Sequence, residues 1–176
     1  MESKVSSKSI MLTYGLIYGF IIILTSVIIY AANMQYEESA GFAALGTVIL
    51  SIIIVPILAM LKFKKENLNI ISWGQAVKLG MGVVLLGTLL NLGYSFLFAE
   101  IIEPQHNETL LQIQRQAFID DGRMTAEQID QQMEISAMFQ GTLISAAIGL
   151  LFFAFVGFVV SAIAGAIVKR TEEDNY

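Results

Sequence analysis

The chain has 176 residues, of which 56% are hydrophobic and only 14% are charged, and its formal net charge is −5 at pH 7. A water-soluble domain of this length has too much surface to cover with so few charged side chains, so the composition excludes an ordinary soluble protein. The chain has no cysteine, which excludes disulfides and thiolate-bound metals.

The hydrophobic residues are collected in four long blocks, which are residues 10–32, 40–61, 76–99 and 141–168. Each block has the roughly 20 residues with which a helix crosses about 30 Å of hydrocarbon. We therefore predict an all-α membrane protein in which four transmembrane helices form two antiparallel hairpins within a single domain, residues 1–176. The first block is longer than the apolar part of a secretory signal, so we expect it to be a retained span.

Two residues deep in the predicted spans stand out, one helix-breaking and one polar. Pro56 removes a backbone donor from the second span and is expected to kink it, either as a static bend or as a hinge at a binding site. Asn91 is the polar residue of the third span that stands out. An amide at this depth is either a hydrogen-bonding contact between helices or a ligand for a transported solute.

The third span begins and ends with recognisable signals. Ser72 and Gln75 have the spacing of a capping box, and Trp73 between them is placed to anchor the helix at the membrane surface. The span ends in "AEIIEPQHN", which brings Glu100, Glu103 and His106 together. These residue types bind metals, but a site would need further ligands from elsewhere, and the proline favours a simple helix exit. We expect the exit, with no metal and no cofactor.

Residues 100–140 form the one long connection and are predicted to be an outer helical loop. "NETLLQIQRQAFID" and "TAEQIDQQMEI" have apolar residues at helical spacing, and Gly122 separates them. Thr125 and Gln128 have capping-box spacing at the start of the second helix, which is placed to continue into the fourth span. The loop contains eight acidic and two basic residues. It is interpreted as a small acidic cap or as a surface for a partner.

The fourth span contains small residues at multiples of four positions. These helix-packing candidates are Gly141, Ser145, Gly149, Gly157, Ser161 and Gly165. Small residues at this spacing let a second helix approach closely. Two alternatives are open: packing within the bundle, or a seam between two copies of the chain.

Basic residues are distributed unevenly between the two sides of the predicted spans. One side carries Lys4, Lys8, Lys62, Lys64, Lys65, Lys78, Lys169 and Arg170, and the other carries only Arg115 and Arg123. Positively charged flanks stay in the cytoplasm. We therefore expect a multi-pass protein with both termini cytoplasmic and the acidic loop outside.

The segments "SWGQAVKLGMGVV", "IIEPQ" and "GAIVKR" mark the start and end of the third span and the end of the fourth. Together they resemble a family of bacterial four-helix membrane proteins catalogued as a domain of unknown function. The resemblance covers essentially the whole chain, although Glu103 stands where an Asp before the proline is common. It implies a single domain in a bacterial inner membrane, and it offers no activity from which a residue of this chain could inherit a role.

No Asp, Glu, Lys, Arg or His lies deep in a predicted span, and the chain has no H-E-x-x-H or phosphate-binding motif. We therefore expect a non-enzymatic accessory or scaffold subunit. Its expected partners are the lipid bilayer and either another membrane protein or a second copy of the chain, with no nucleic acid. The alternative is a small oligomeric transporter or channel that uses Asn91 and Pro56.

Overall fold

A computed structural model describes residues 6–170 of the chain, and within this range the structure is all-α, as predicted. The α-helices are α1 (Ser7–Ala31), α2 (Glu38–Glu66), α3 (Trp73–Leu97), α4 (His106–Asp121), α5 (Ala126–Phe139) and α6 (Leu143–Val168). A π-helical segment, Phe98–Ile102, follows α3 directly. The one β-type pairing in the described range is an isolated bridge between Ile71 and Arg170.

Four helices are long and apolar enough to cross a membrane, as the sequence predicts. They are α1, α2, α3 together with the π-helical segment, and α6. The chain is a multi-pass membrane protein. Helix α2 continues five residues beyond the predicted end of the second span, and Lys62 and Glu66 form an i,i+4 ion pair in this extra turn.

The described residues divide into two compact units. The first contains residues up to Asn91 and residues from Leu150 onward, and the second is Leu92–Gly149. The centre of the first unit is formed by side chains with no exposed surface, among them Tyr18, Met60 and Val83. In a lipid environment such contacts stabilise through close packing, because lipid tails are as apolar as the side chains.

Helices α1 and α3 run in the same direction in the first unit. Gly15 lies against Leu86, and Gly19, four residues later, lies against Leu90. Neither glycine has a side chain between α1 and α3, so the backbones of these two helices approach closely. The offset between the two helices is therefore constant along this contact.

The end of α2 lies beside the start of α3 and the end of α6. The Met60 side chain fills the space over Gly80, and the Lys64 ammonium group donates a hydrogen bond of 2.7 Å to the carbonyl of Val168. This bond satisfies a carbonyl in the last turn of α6, which has no partner within its own helix.

In the second unit, α4 and α5 pack together as a helical pair. Helix α4 ends at Gly122, whose φ of 66° is left-handed and favours glycine. Ile129 is the buried residue of α5, and Arg115 forms an ion pair with Asp130 across the two helices. Both side chains of this pair are at least half exposed, so the pair orients the helices more than it stabilises them.

The predicted capping box at the start of α5 is present. The Thr125 hydroxyl accepts from the Gln128 amide, and the Gln128 side chain accepts from the Thr125 amide. We expect Thr125→Ala to destabilise this helix by about 1 kcal/mol. Faster amide hydrogen exchange in the first turn of α5, with α4 exchange less affected, is the measurement. Unchanged exchange there would contradict a stabilising role for the cap.

Candidate functional site

Three of the six small residues predicted in the fourth span lie against α3. The contacts join Gly157 to Val84, Ser161 to Gly80, and Gly165 to Ala76. The residue numbers rise along α6 as they fall along α3, so the two helices are antiparallel. These three positions, named here the α3–α6 seam, are thus occupied by contacts within the chain.

The other three small residues have different surroundings. Gly141 precedes α6 in a turn, and its φ of 70° separates α5 from α6, so α5 does not continue into the fourth span. The Ser145 hydroxyl donates to the carbonyl of Thr142 at 2.7 Å. Around Gly149 there is no side chain within 4 Å of the position that a Cβ would take. The six residues therefore do not form one continuous packing row.

Pro56 and Asn91, the residues predicted for a transport site, are in unlike environments. Pro56 is fully buried, and α2 is helical on both sides of it. Asn91 is partly exposed and already takes part in an interaction with the rest of the chain.

Buried polar side chains occur near the middle of the spans. The Tyr18 ring packs on Gly87, its hydroxyl is buried without a well-formed hydrogen bond, and the Thr88 side chain is close enough to interact with it. Ser51 on α2 bonds to the carbonyl of Thr47 at 2.6 Å, within its own helix. This local bond satisfies the serine without a partner from another helix.

The segment from Glu100 to His106 contains a helical irregularity that the sequence analysis did not predict. The Glu103 amide donates to the carbonyl of Phe98 at 2.8 Å, a bond across five residues that makes this turn a π-helix. His106 is the first residue of α4, and its ring packs edge-on against Phe98 with 5.0 Å between ring centroids. The eight-residue spacing of Phe98 and His106 can be read from the sequence. No residue pattern in this segment predicts the π-helical turn.

The metal hypothesis for Glu100, Glu103 and His106 has no complete ligand set. Within residues 6–170, no three side chains of His, Cys, Asp or Glu are close enough together to hold a metal ion. A protein site for zinc or iron needs at least three such ligands. The His106 ring has a packing role against Phe98 instead.

Helices α4 and α5 leave large apolar side chains uncovered. Those at least 42% exposed are Ile113, Ile119, Ile135, Met138 and Phe139. Met138 and Phe139 follow Ile135 by three and four residues, so the three side chains lie on one side of α5, named here the exposed α5 face. Neither α4 nor α5 is a candidate membrane span. The exposed apolar residues of these two helices are therefore not explained by a helix that crosses the bilayer.

The basic flanks come together at one end of the first unit. Helices α1 and α3 begin there, and α2 and α6 end there, as the contacts above show. The residues of this basic end are Lys8, Lys62, Lys64, Lys65, Lys78, Lys169 and Arg170. Lys4, also predicted on this side, lies outside the described residues.

Comparison with known proteins identifies a family but no activity. Residues 13–170 match the model of a family described as "Protein of unknown function (DUF4199)". No curated protein and no solved structure matches the chain.

Proposed function

We propose that this chain, which belongs to the DUF4199 family of proteins of unknown function, is a non-enzymatic accessory or scaffold subunit that binds another membrane protein. The observation that supports the proposal is the exposed α5 face. Scattered apolar residues on a surface need no explanation, but three neighbouring ones on a helix that does not cross the membrane favour a covered surface.

Charge favours a protein over lipid as the partner of this face. Residues 100–140 contain eight acidic side chains and only two basic ones. Anionic lipid headgroups repel such a segment, whereas a protein with basic residues around an apolar groove would attract it. An amphipathic helix in such a groove is a common mode of recognition.

We also infer the orientation from the basic end. Seven of the described basic residues gather where α1 and α3 begin, and positively charged flanks stay in the cytoplasm. This supports both termini in the cytoplasm of a bacterial inner membrane, with α4 and α5 on the opposite side. A cysteine introduced at Ala137, an exposed position on the other side of α5 from the exposed α5 face, should then react with a membrane-impermeant maleimide in intact cells, and protection from the reagent would reverse the orientation.

Met138→Asp tests the proposed partner. We expect a stoichiometric protein that co-purifies with the chain from native membranes in mild detergent to be lost from this variant. Met138 is 65% exposed, so the substitution should leave the fold intact. A central apolar contact in an interface contributes about 2 kcal/mol, which corresponds to roughly a 30-fold weaker complex. The readout is the ratio of the two proteins by quantitative mass spectrometry.

Ala137→Asp is the matched control, because it adds the same charge to an exposed position on the other side of α5. Retention of the partner by this variant, together with its loss in Met138→Asp, is the expected result. Equal loss in both variants would show that added charge, not the apolar face, is responsible. A wild-type chain that purifies only as a homo-oligomer would overturn the accessory role and favour the transporter or channel alternative.

A further inference from the structure

A surface groove of about 510 Å³ lies along α3 in the first unit. Its floor is formed along α3 from Trp73 to Leu85, and its sides are Met11 of α1 and Phe158 of α6. Gly74 contributes no side chain to the floor and the space beside it is open, whereas the Met11 side chain fills the space over Gly82. Lys78 is the single charged residue among the lining side chains.

The dimensions of the groove fit one lipid acyl chain. From Gly74 to Leu85 the helix rises 1.5 Å per residue, which gives a length of about 16 Å. This is close to half of the roughly 30 Å hydrocarbon core, the depth that one leaflet occupies. The groove also begins at the basic end of the unit, where Trp73 is placed, so it belongs to a single leaflet.

Two lysines lie at the entrance to this groove. Met11 of α1 lies against Gly82 of α3, and these helices run in the same direction. Lys8 and Lys78 precede that contact by three and four residues, so the two residues are at about the same level, and their long side chains can extend toward the basic end where Gly74 lies. Within residues 6–170 neither lysine is in an ion pair with a carboxylate. As far as the described residues show, each lysine can pair with an anionic group.

We propose that this groove binds one phospholipid with an anionic headgroup, whose acyl chain lies along Gly74–Leu85 and whose phosphate is held by Lys8 and Lys78. An apolar groove about one leaflet long, beside two lysines that form no ion pair within residues 6–170, is complementary to such a lipid in both shape and charge. A zwitterionic lipid carries the same phosphate together with a cationic group, which offsets the phosphate charge and repels the two lysines. The inference does not depend on the proposed protein partner.

The test uses the purified full-length chain and native mass spectrometry. The probes are dioleoyl phosphatidylglycerol and dioleoyl phosphatidylcholine, which share acyl chains and differ in net charge. We expect one molecule of the anionic lipid to be retained in preference to the neutral one. A basic residue near a membrane contributes about fivefold in affinity for anionic lipid, so Lys8→Ala with Lys78→Ala should weaken retention by roughly 25-fold.

Gly74→Leu tests the groove itself. No atom lies within 4 Å of the position that a Cβ on Gly74 would take, so a leucine enters the groove without disturbing the fold. We expect loss of the retained lipid. Gly46→Leu is the matched control, because Gly46 on α2 is equally open and does not line the groove. Lys62→Ala with Lys65→Ala removes two basic-end lysines on α2 and should leave retention unchanged.

Three results would overturn the proposal. They are equal retention of the two lipids, lipid retention by Gly74→Leu at the wild-type level, and the same loss in the α2 lysine variant as in the Lys8 and Lys78 variant. A dimer that dissociates in Gly74→Leu would also overturn it, because a second copy of the chain would then be the occupant of the groove.

Discussion

Gly87→Ala is expected to destabilise the first unit by about 3 kcal/mol, at the upper end of the usual range for overpacking a close-packed interior. A Cβ on Gly87 would lie 2.9 Å from the carbonyl oxygen of Gly15 and 2.9 Å from the amide nitrogen of Gly19, and it would overlap the ring of Tyr18. Two of these three neighbours are backbone atoms of α1. They move only if the whole helix moves, so the contact cannot be relieved by rotating a side chain.

Thermal unfolding in detergent is the measurement, with loss of monodisperse protein as the readout. Gly93→Ala is the control, because it makes the same change on the same helix where no neighbour lies within 4 Å. Alanine is also the better helix former by about 1 kcal/mol. We therefore expect Gly93→Ala to be neutral or stabilising. Similar unfolding temperatures for the two variants would show that α1 and α3 are not packed at Gly87 as described.

Gly157→Leu is expected to be comparably destabilising, through the α3–α6 seam. A Cβ at Gly157 would lie 2.9 Å from Cγ1 and 3.0 Å from Cβ of Val84. The branched side chain of Val84 is stiff at its first torsion and gives way poorly. A leucine adds three more carbons beyond that Cβ, so α6 must separate from α3. We expect a loss of about 3 kcal/mol in unfolding free energy and a lower unfolding temperature in detergent.

Gly149→Leu separates this effect from association between copies of the chain. Gly149 has open space around it, so the same substitution should leave the fold stable. If copies associate through α6, Gly149→Leu should change the particle mass while the unfolding temperature stays unchanged. If Gly157→Leu proved as stable as Gly149→Leu, the intrachain seam would be contradicted and the interchain interpretation of these small residues would be restored.

A loss of association in Gly157→Leu would be ambiguous, because the substitution damages contacts inside the chain. The exposed surface of α6 is formed instead by large apolar residues, such as Leu151, Phe155 and Ile163, each more than 60% exposed. These are ordinary lipid-facing side chains for a span in which the buried residues are Gly157, Ser161, Ala164 and Gly165.

Local features of this chain could be predicted from the sequence alone. The spans follow from length and hydrophobicity, because a segment of about 20 apolar residues has no stable alternative to a membrane helix. The capping boxes at Ser72 and Thr125 and the helix end at Gly122 were also predicted, and all are present. Each depends on residues within four positions of one another, so the pattern contains the whole interaction.

Features that depend on which helix faces which were decided only by the tertiary structure. Gly149 and Gly157 look equivalent in the sequence, yet only Gly157 meets another helix, because that depends on how α6 is rotated against α3. The groove beside Gly74 requires the offset between α1 and α3, which brings Met11 to Gly82 across 71 positions. The π-helical turn that ends at Ile102 is likewise invisible to the spacing of apolar residues. Packing between distant segments sets these features, and a periodic pattern describes only one helix at a time.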